Sequence, residues 1–356
     1  MESKAKKILF LGGSKNQTSQ MHLIANELHD YDCWFSQVFM DAWIAKQALK
    51  HTSIFEPTIM SGNFRKNSEQ YMRDNHLQID YAAQKNKYDL VLFCTDMAVP
   101  RRMAKSKTMW VQEGMIDPAN WKTKLAKTFG LPAWFTGDTS LNGASDSCDI
   151  YCTASEGYKD HFAKMGTERS KLFVTGMPNY DNIKQYLNNN FPHHGYVMVA
   201  TSDIRETFRK EDRPAFLKEC VKIADGRPLL FKLHPNEQID RATAEIREFT
   251  PDNSMIYTSG NTNEMIANSA ELITQYSTVV YVGMALGIPV HSFFDKNELE
   301  RLAPIQNAGT SAQNIANICR DFLDFEGNKK DFAKQYHYQP VDFEHSILVG
   351  DNALRA

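Results

Sequence analysis

The chain has 356 residues, 42% hydrophobic and 23% charged, with a formal net charge of −3. That is the composition of an ordinary globular protein, and its near balance of charge gives no bulk pull toward nucleic acid. No apolar run approaches the ~20 residues that cross a bilayer, and at roughly 100–200 residues per domain the length suggests two domains. The six cysteines are too few for a disulfide scaffold and read as packed, reduced thiols. Cys148 and Cys152 have no matching second pair, so no zinc site is read and no metal ligand is assigned. Met1–Lys7 leads straight into a strand without a signal-peptide core, which makes the cytoplasm the expected location.

Lys7–Leu11 reads as a buried strand, and Gly12-Gly13-Ser14 turns it into a helix expected over Thr18–His29. The full G-x-G-x-x-G is absent, so a dinucleotide site has weak support. Gly13 and Ser14 still allow a ligand close to the backbone at a helix start, where anions are favoured. Cys33–Phe39 is the second expected strand, and polar His51–Lys87 covers the sheet. Tyr88–Cys94 and Thr108–Val111 are strands that end at Asp96 and at Glu113. Two carboxylates at neighbouring strand ends can serve as acid and base, or can simply cap helices and pair with Arg101 or Arg102. Ala119–Phe135 interleaves aromatics with lysines, which suits peripheral contact with a membrane interface; a packed aromatic loop is the plainer reading.

Asp149–Thr153 and Lys171–Thr175 are the next strands, and Asn188–Gly195 has the composition of a linker. Beyond it the alternation restarts: Tyr196–Ala200, a polar Thr201-Ser202-Asp203-Ile204-Arg205 loop, a helix over Arg213–Ala224, then Leu229–Leu233. His234-Pro235 ends that strand, because proline cannot continue the ladder. Lys232, His234 and Glu237 thus lie at a strand's carboxyl end, the edge where open α/β sheets bind ligands. Met255–Thr258, Leu272–Thr274 with the Ser277-Thr278 loop, and Ile288–Phe294 complete the strands. Strands alternating with helices predict parallel sheets. The expected domains are 1–187, 195–330 and a terminal segment 331–356 that returns to the first.

Several stretches together resemble the GT-B fold, two Rossmann-like domains whose parallel sheets face each other across a cleft. The resemblance is to the branch holding non-hydrolysing UDP-N-acetylglucosamine 2-epimerases, CDP-glycerol glycerophosphotransferases, and capsule Kdo- and polysialyl-type transferases. Lys7–Gly13 is similar to the epimerase first strand and glycine loop, and Val111-Gln112-Glu113-Gly114 to its Glu-Ala-Gly segment. Asp96 falls where that family has an aspartate, and Val174–Asp181 resembles its Thr-Gly-Asn-Pro hinge. Lys232-Leu233-His234-Pro235 resembles the Lys-x-His-Pro element of capsule-type transferases, which implies that His234 contacts the nucleotide phosphate. Thr274–Thr278 with Leu286–Pro289 is similar to the Thr-Asp-Tyr-Ser-Ser … Leu-Gly-Lys-Pro motif of glycerophosphotransferases, where Ser and Thr hold phosphate oxygens. The chain departs from the epimerases at Thr201–Glu206, in place of His-Arg-Arg-Glu-Asn, and at Gln275–Tyr281, in place of Asp-Ser-Gly-Gly-x-x-Glu.

These departures favour transfer over epimerisation. The expected activity is a metal-independent glycosyltransferase that takes a CMP- or UDP-linked sugar to a glycan or lipid-linked acceptor, at the inner face of the membrane, in polysaccharide synthesis. Thr201, Ser202, Arg205, Lys232, His234, Ser277 and Thr278 are expected around the nucleotide, with Glu113 or Asp96 as the base. An epimerase that uses Asp96 and Glu113 for proton abstraction and return is the first alternative, and a non-catalytic nucleotide-sugar binder the second. An oxidoreductase is disfavoured by the missing glycine fingerprint.

Overall fold

Short apolar runs bounded by polar turns become parallel strands buried on both faces. The computed structural model describes residues 5–39, 62–95, 99–100, 102–115, 143, 145–206 and 210–341. Asp96, the 119–135 stretch and residues 342–356 lie outside the described residues, so the expectations placed on them are not addressed by the structure.

In chain order the elements are β1 (Lys7–Gly12), α1 (Lys15–Asn26), β2 (Asp32–Gln37), α2 (Gly62–Asp74), β3 (Leu90–Phe93), β4 (Lys107–Val111), β5 (Ile150–Thr153), α3 (Glu156–Met165) and β6 (Leu172–Val174). Then follow β7 (Tyr196–Ala200), α4 (Arg213–Ala224), β8 (Leu229–Lys232), α5 (Ile239–Phe249), β9 (Met255–Tyr257), α6 (Thr262–Ala267), β10 (Ser269–Thr274), α7 (Val280–Ala285) and β11 (Val290–His291). The chain closes with α8 (Lys296–Leu302), α9 (Ser311–Asp324) and α10 (Phe332–Gln335). The first six strands form one parallel sheet in the order β2-β1-β3-β4-β5-β6, and the rest form a second in the order β11-β10-β7-β8-β9. Strand order reverses beside β1 in the first sheet and beside β7 in the second, the points at which ligand crevices open. Among the described residues no helix is long and apolar enough to cross a membrane.

Two local differences from the sequence expectation have clear causes. Helix α1 begins three residues before Thr18, at Lys15, because Ser14 caps it and accepts from Gln17 N at 3.1 Å. The strand expected over Ile288–Phe294 shrinks to Val290–His291. There the Ser292 hydroxyl donates to Gln275 O at 3.0 Å and accepts from Phe294 N at 3.3 Å, which bends the edge away from the ladder.

The chain divides into two units, Met1–Asp181 with Pro304–Ala356, and Asn182–Ala303. Residues 304–330, expected in the second domain, therefore belong with the first. The reason is the apolar face of α9: Ile315, Ile318, Cys319 and Phe322 are fully buried in one cluster with Ile8, Phe10, Met109 and Ile150 of the first sheet. The returning segment is fixed at both ends. At its start Asp181 accepts from Ser311 N at 2.8 Å, and Asn307 Nδ2 donates to Thr175 O at 3.2 Å. Gly176, at φ +82°, stands so close that a Cβ there would lie 2.1 Å from Ser311 Oγ. At its end the Lys107 ammonium donates to the carbonyls of Phe322, Leu323 and Phe325 at 2.5, 3.1 and 2.8 Å. Carbonyls of a last helical turn are short of backbone donors, Phe322 O having only Phe325 N at 3.3 Å, and a cation at a helix C-terminus also meets its dipole.

Lys107→Met removes the ammonium from all three carbonyls and leaves Leu323 O to Lys6 and Phe322 O to Phe325 N. We expect a loss of about 1–3 kcal/mol, read as a lower urea midpoint at unchanged slope, with Lys107→Arg retaining most of the stability. An unchanged midpoint in the Met variant would mean that the Lys107 ammonium adds nothing to the hold on α9.

Candidate functional site

In the first unit the carboxyl ends of β1 and β4 carry the candidate residues. The turn after β1 is internally satisfied: Gly13 N donates to Gln17 Oε1 at 2.8 Å, while Ser14 Oγ is occupied as the helix cap. The pair that the sequence assigned to an anion thus shapes the turn. After β4, Gln112 is fully buried and ties neighbouring segments together. Its Oε1 accepts from Ala154 N at 2.9 Å, and its backbone carbonyl accepts from Gln20 Nε2 at 2.9 Å. This anchor presents Glu113, which is partly buried and accepts from Asn16 Nδ2. Asn16 is held in turn by Asn179 Nδ2, which donates to both its backbone and side-chain oxygens at 3.0 Å. Burial pushes the Glu113 carboxyl above the ordinary glutamate range, although Asn16 and Gln17 pull the other way. Neither Asn16 nor Asn179 was singled out from sequence as a site residue, since nothing local marks an asparagine as the support of a distant carboxylate.

In the second unit the carboxyl ends of β7, β8 and β10 converge on a buried ion-pair network. Its centre is Arg213 in the first turn of α4, only 1% exposed. Arg213 donates to Glu237 at 2.6 Å and to Glu211 at 3.2 Å. Glu237, the residue that closes the His-Pro turn, accepts from Thr201 Oγ1 and from His234 N, the latter at 3.0 Å. Glu211 accepts from Gln275 Nε2 at 2.8 Å. One guanidinium therefore fixes the residues after all three strands. The sequence placed Arg213 at the start of an expected helix, and nothing in it marked the arginine as buried.

The expected phosphate ligands separate into two groups. Thr201 is committed to Glu237 and to His234 N, and Arg205 is held in a bidentate pair by Glu245 at 2.7 and 2.8 Å with Glu211 at 3.1 Å. Arg205 thus serves the network, where the sequence expectation had it neutralising phosphate. Lys232, Ser202 and His234 remain at the edge. Lys232 is buried, donates to Leu233 O at 2.9 Å, and is pulled below the ordinary lysine range by burial, against the nearby Glu237 charge. His234 is half-buried, with Nδ1 facing Asn236 N at 3.3 Å and Asp203 at 3.6 Å. With Nδ1 accepting from Asn236, the neutral ring carries its proton on Nε2. Ser277 and Thr278 form the turn into α7, where Ser277 O accepts from Val280 N at 3.2 Å. Three side-chain atoms at the ends of β7 and β10 are buried without a hydrogen-bond partner among the described residues: Ser202 Oγ, Thr274 Oγ1 and Gln275 Oε1. Such atoms cost free energy unless something polar meets them, so this edge has acceptors and hydroxyls that water or a ligand can satisfy.

Removing Arg213 would leave the buried Glu237 without its guanidinium partner and Glu211 with Arg205 alone. We expect Arg213→Met to lose about 3–5 kcal/mol by chemical denaturation. Exchanging the half-buried Lys171, which pairs with Asp146, should cost under about 1 kcal/mol. Equal losses in the two variants would deny the network its central place.

No family model matches the sequence, and no curated protein matches it either. Solved structures do. A candidate UDP-N-acetylglucosamine 2-epimerase from Listeria monocytogenes aligns over 96% of this chain and 100% of its own, with a TM-score of 0.56 at 13% identity. A Neisseria meningitidis UDP-GlcNAc 2-epimerase bound to UDP-GlcNAc aligns over 98% and 100%, with a TM-score of 0.53 at 15% identity. A Rickettsia bellii UDP-N-acetylglucosamine 2-epimerase aligns over 90% and 98%, with a TM-score of 0.52 at 12% identity. These likenesses show a shared fold: the chain is α/β and is built from the two Rossmann-like domains of the GT-B type.

Proposed function

We propose that this chain, which has a fold used by enzymes of nucleotide sugars, is a glycosyltransferase. It moves a sugar from a CMP- or UDP-linked donor to a glycan or lipid-linked acceptor in cell-surface polysaccharide synthesis. The observation that carries this reading is the cluster at the second unit's strand ends. A buried ammonium (Lys232), an imidazole N–H (His234) and an unpartnered hydroxyl (Ser202) stand on adjacent strands. Donors of this kind suit a phosphate, because charge-assisted hydrogen bonds in a dry site are strong.

In the transfer step the bond from the anomeric carbon to the phosphate oxygen breaks, and negative charge develops on the nucleotide. Lys232, His234 and Ser202, with Ser277 and Thr278, meet that charge, so this reading assigns no metal to the step. The acceptor oxygen forms the new bond to the anomeric carbon, and its proton passes to Glu113. The raised Glu113 carboxyl also fits proton abstraction and return at a sugar carbon, which keeps epimerisation as a second reading. The two part on product: transfer needs an acceptor and releases nucleotide, whereas epimerisation returns an isomeric nucleotide sugar.

A thermal-shift panel of CMP, CDP, UMP, UDP, GDP and NAD should give a selective response to one pyrimidine nucleotide, since a ligand of the folded state raises Tm by mass action. Lys232→Met and His234→Ala should each weaken that nucleotide by roughly 10- to 100-fold, the worth of one charge-assisted hydrogen bond. A response to NAD alone, or equal binding by all three proteins, would overturn the assignment.

Glu113→Gln should lower turnover by roughly 10²–10⁴-fold and leave nucleotide binding intact. The base must be ionised to act, and burial holds its proton to higher pH, so turnover should fall on acidification through a midpoint above the ordinary glutamate range. An acid limb in the usual glutamate range, or one that persists in the Gln variant, would remove Glu113 from the role.

A further inference from the structure

Next to the phosphate-suited cluster the same sheet edge changes character. Tyr276 follows β10 and precedes Ser277, while Phe293 follows β11. Both rings are exposed, 47% and 57%, and they pack edge to face with centroids 5.5 Å apart. The pair is braced from both sides, Tyr276 by Phe294 at 5.2 Å and Phe293 by the buried Phe216 of α4 at 6.2 Å. The two residues that lead into Tyr276 carry two of the three buried atoms without a partner among the described residues, Thr274 Oγ1 and Gln275 Oε1.

The Gln275 amide has a defined orientation. Glu211 can only accept, so Nε2 faces it and Oε1 is left as a pure acceptor. An acceptor beside a buried carboxylate repels phosphate and calls for an O–H or N–H donor. A sugar ring offers both matching features, a face of polarised C–H bonds for an electron-rich aromatic ring and a rim of hydroxyls for the acceptor. We propose that Tyr276 and Phe293 form the stacking platform for the donor's sugar ring, with Gln275 Oε1 accepting from one of its hydroxyl groups. The proposal rests on the nucleotide-sugar reading above and deepens it. Lys232, His234 and Ser202 on the β7–β8 side, with Ser277 and Thr278 after β10, then serve the phosphate, and the aromatic faces and the Gln275 acceptor serve the sugar.

The test is calorimetric titration of the full chain with UMP, UDP, UDP-glucose, UDP-N-acetylglucosamine, CMP and CMP-N-acetylneuraminate. Wild type, Tyr276→Ala, Phe293→Ala and Tyr276→Phe are compared, with circular dichroism to verify folding. The sugar-bearing nucleotide should bind wild type roughly three- to tenfold more tightly than its bare nucleotide. Both alanine variants should erase that increment without changing the bare nucleotide's Kd, and Tyr276→Phe should restore it. If the alanine variants weaken the bare nucleotide equally, the base occupies the platform and the proposal is overturned. An increment that survives both substitutions overturns it too. A wild type that binds no probe removes the nucleotide-sugar reading itself, and the platform falls with it.

Discussion

The second unit depends on one buried guanidinium. Arg213, at 1% exposure, lies among carboxylates that offset the cost of burying its charge, Glu237 at 2.6 Å and Glu211 at 3.2 Å, and Glu211 is also met by Arg205 at 3.1 Å. Each carboxylate keeps an oxygen for a neighbour, Glu237 for Thr201 and the His234 backbone, Glu211 for Gln275. The ends of β7, β8 and β10 are therefore held in register by electrostatics, where loops alone would be free to shift. Such a network contributes little net stability, because desolvation offsets most of the attraction. Its effect is geometric: the strand-end side chains left over are aimed and rigid.

The first unit reaches a similar end by milder means. Glu113 is steadied by an amide relay, Asn179 to Asn16 to the carboxylate. Neutral amides steady the group without neutralising it, so burial still governs its proton affinity. A guanidinium in that position would have held the carboxyl ionised and weakened it as a base. The two units thus show opposite treatments of buried acids. One group is paired with guanidinium groups, and another is held by neutral amides alone.

Much of this was legible in the sequence. Each buried strand announced itself as a short apolar run, and the proline after His234 fixed the end of β8 to within a residue. The positions of Lys232, His234 and Glu113 at strand ends followed from that alone. Partnership was not legible. Arg205 and Thr201 sit in the same polar loop as Ser202, yet two are consumed by glutamates 36 to 40 residues away and one is left without a partner. Local pattern cannot show a long-range ion pair, because the choice among neighbouring arginines is made by burial after folding. The boundary at 304 escaped for a related reason: α9 is amphipathic in sequence, but only its contact cluster tells which sheet its apolar face covers.

The interrupted first unit has a consequence for how the chain comes into being. Asn182–Ala303 is one unbroken stretch, so everything its sheet requires has been synthesised before residue 304 is added. The first sheet emerges earlier yet lacks α9, whose Ile315, Cys319 and Phe322 share its buried cluster. Throughout synthesis of the inserted unit that cluster has α1 but lacks α9, and it is closed only when the returning segment arrives and Lys107 meets the end of the helix. The part of the protein made first is completed last, and a ribosome that stalls late leaves the damage in the opening half of the chain.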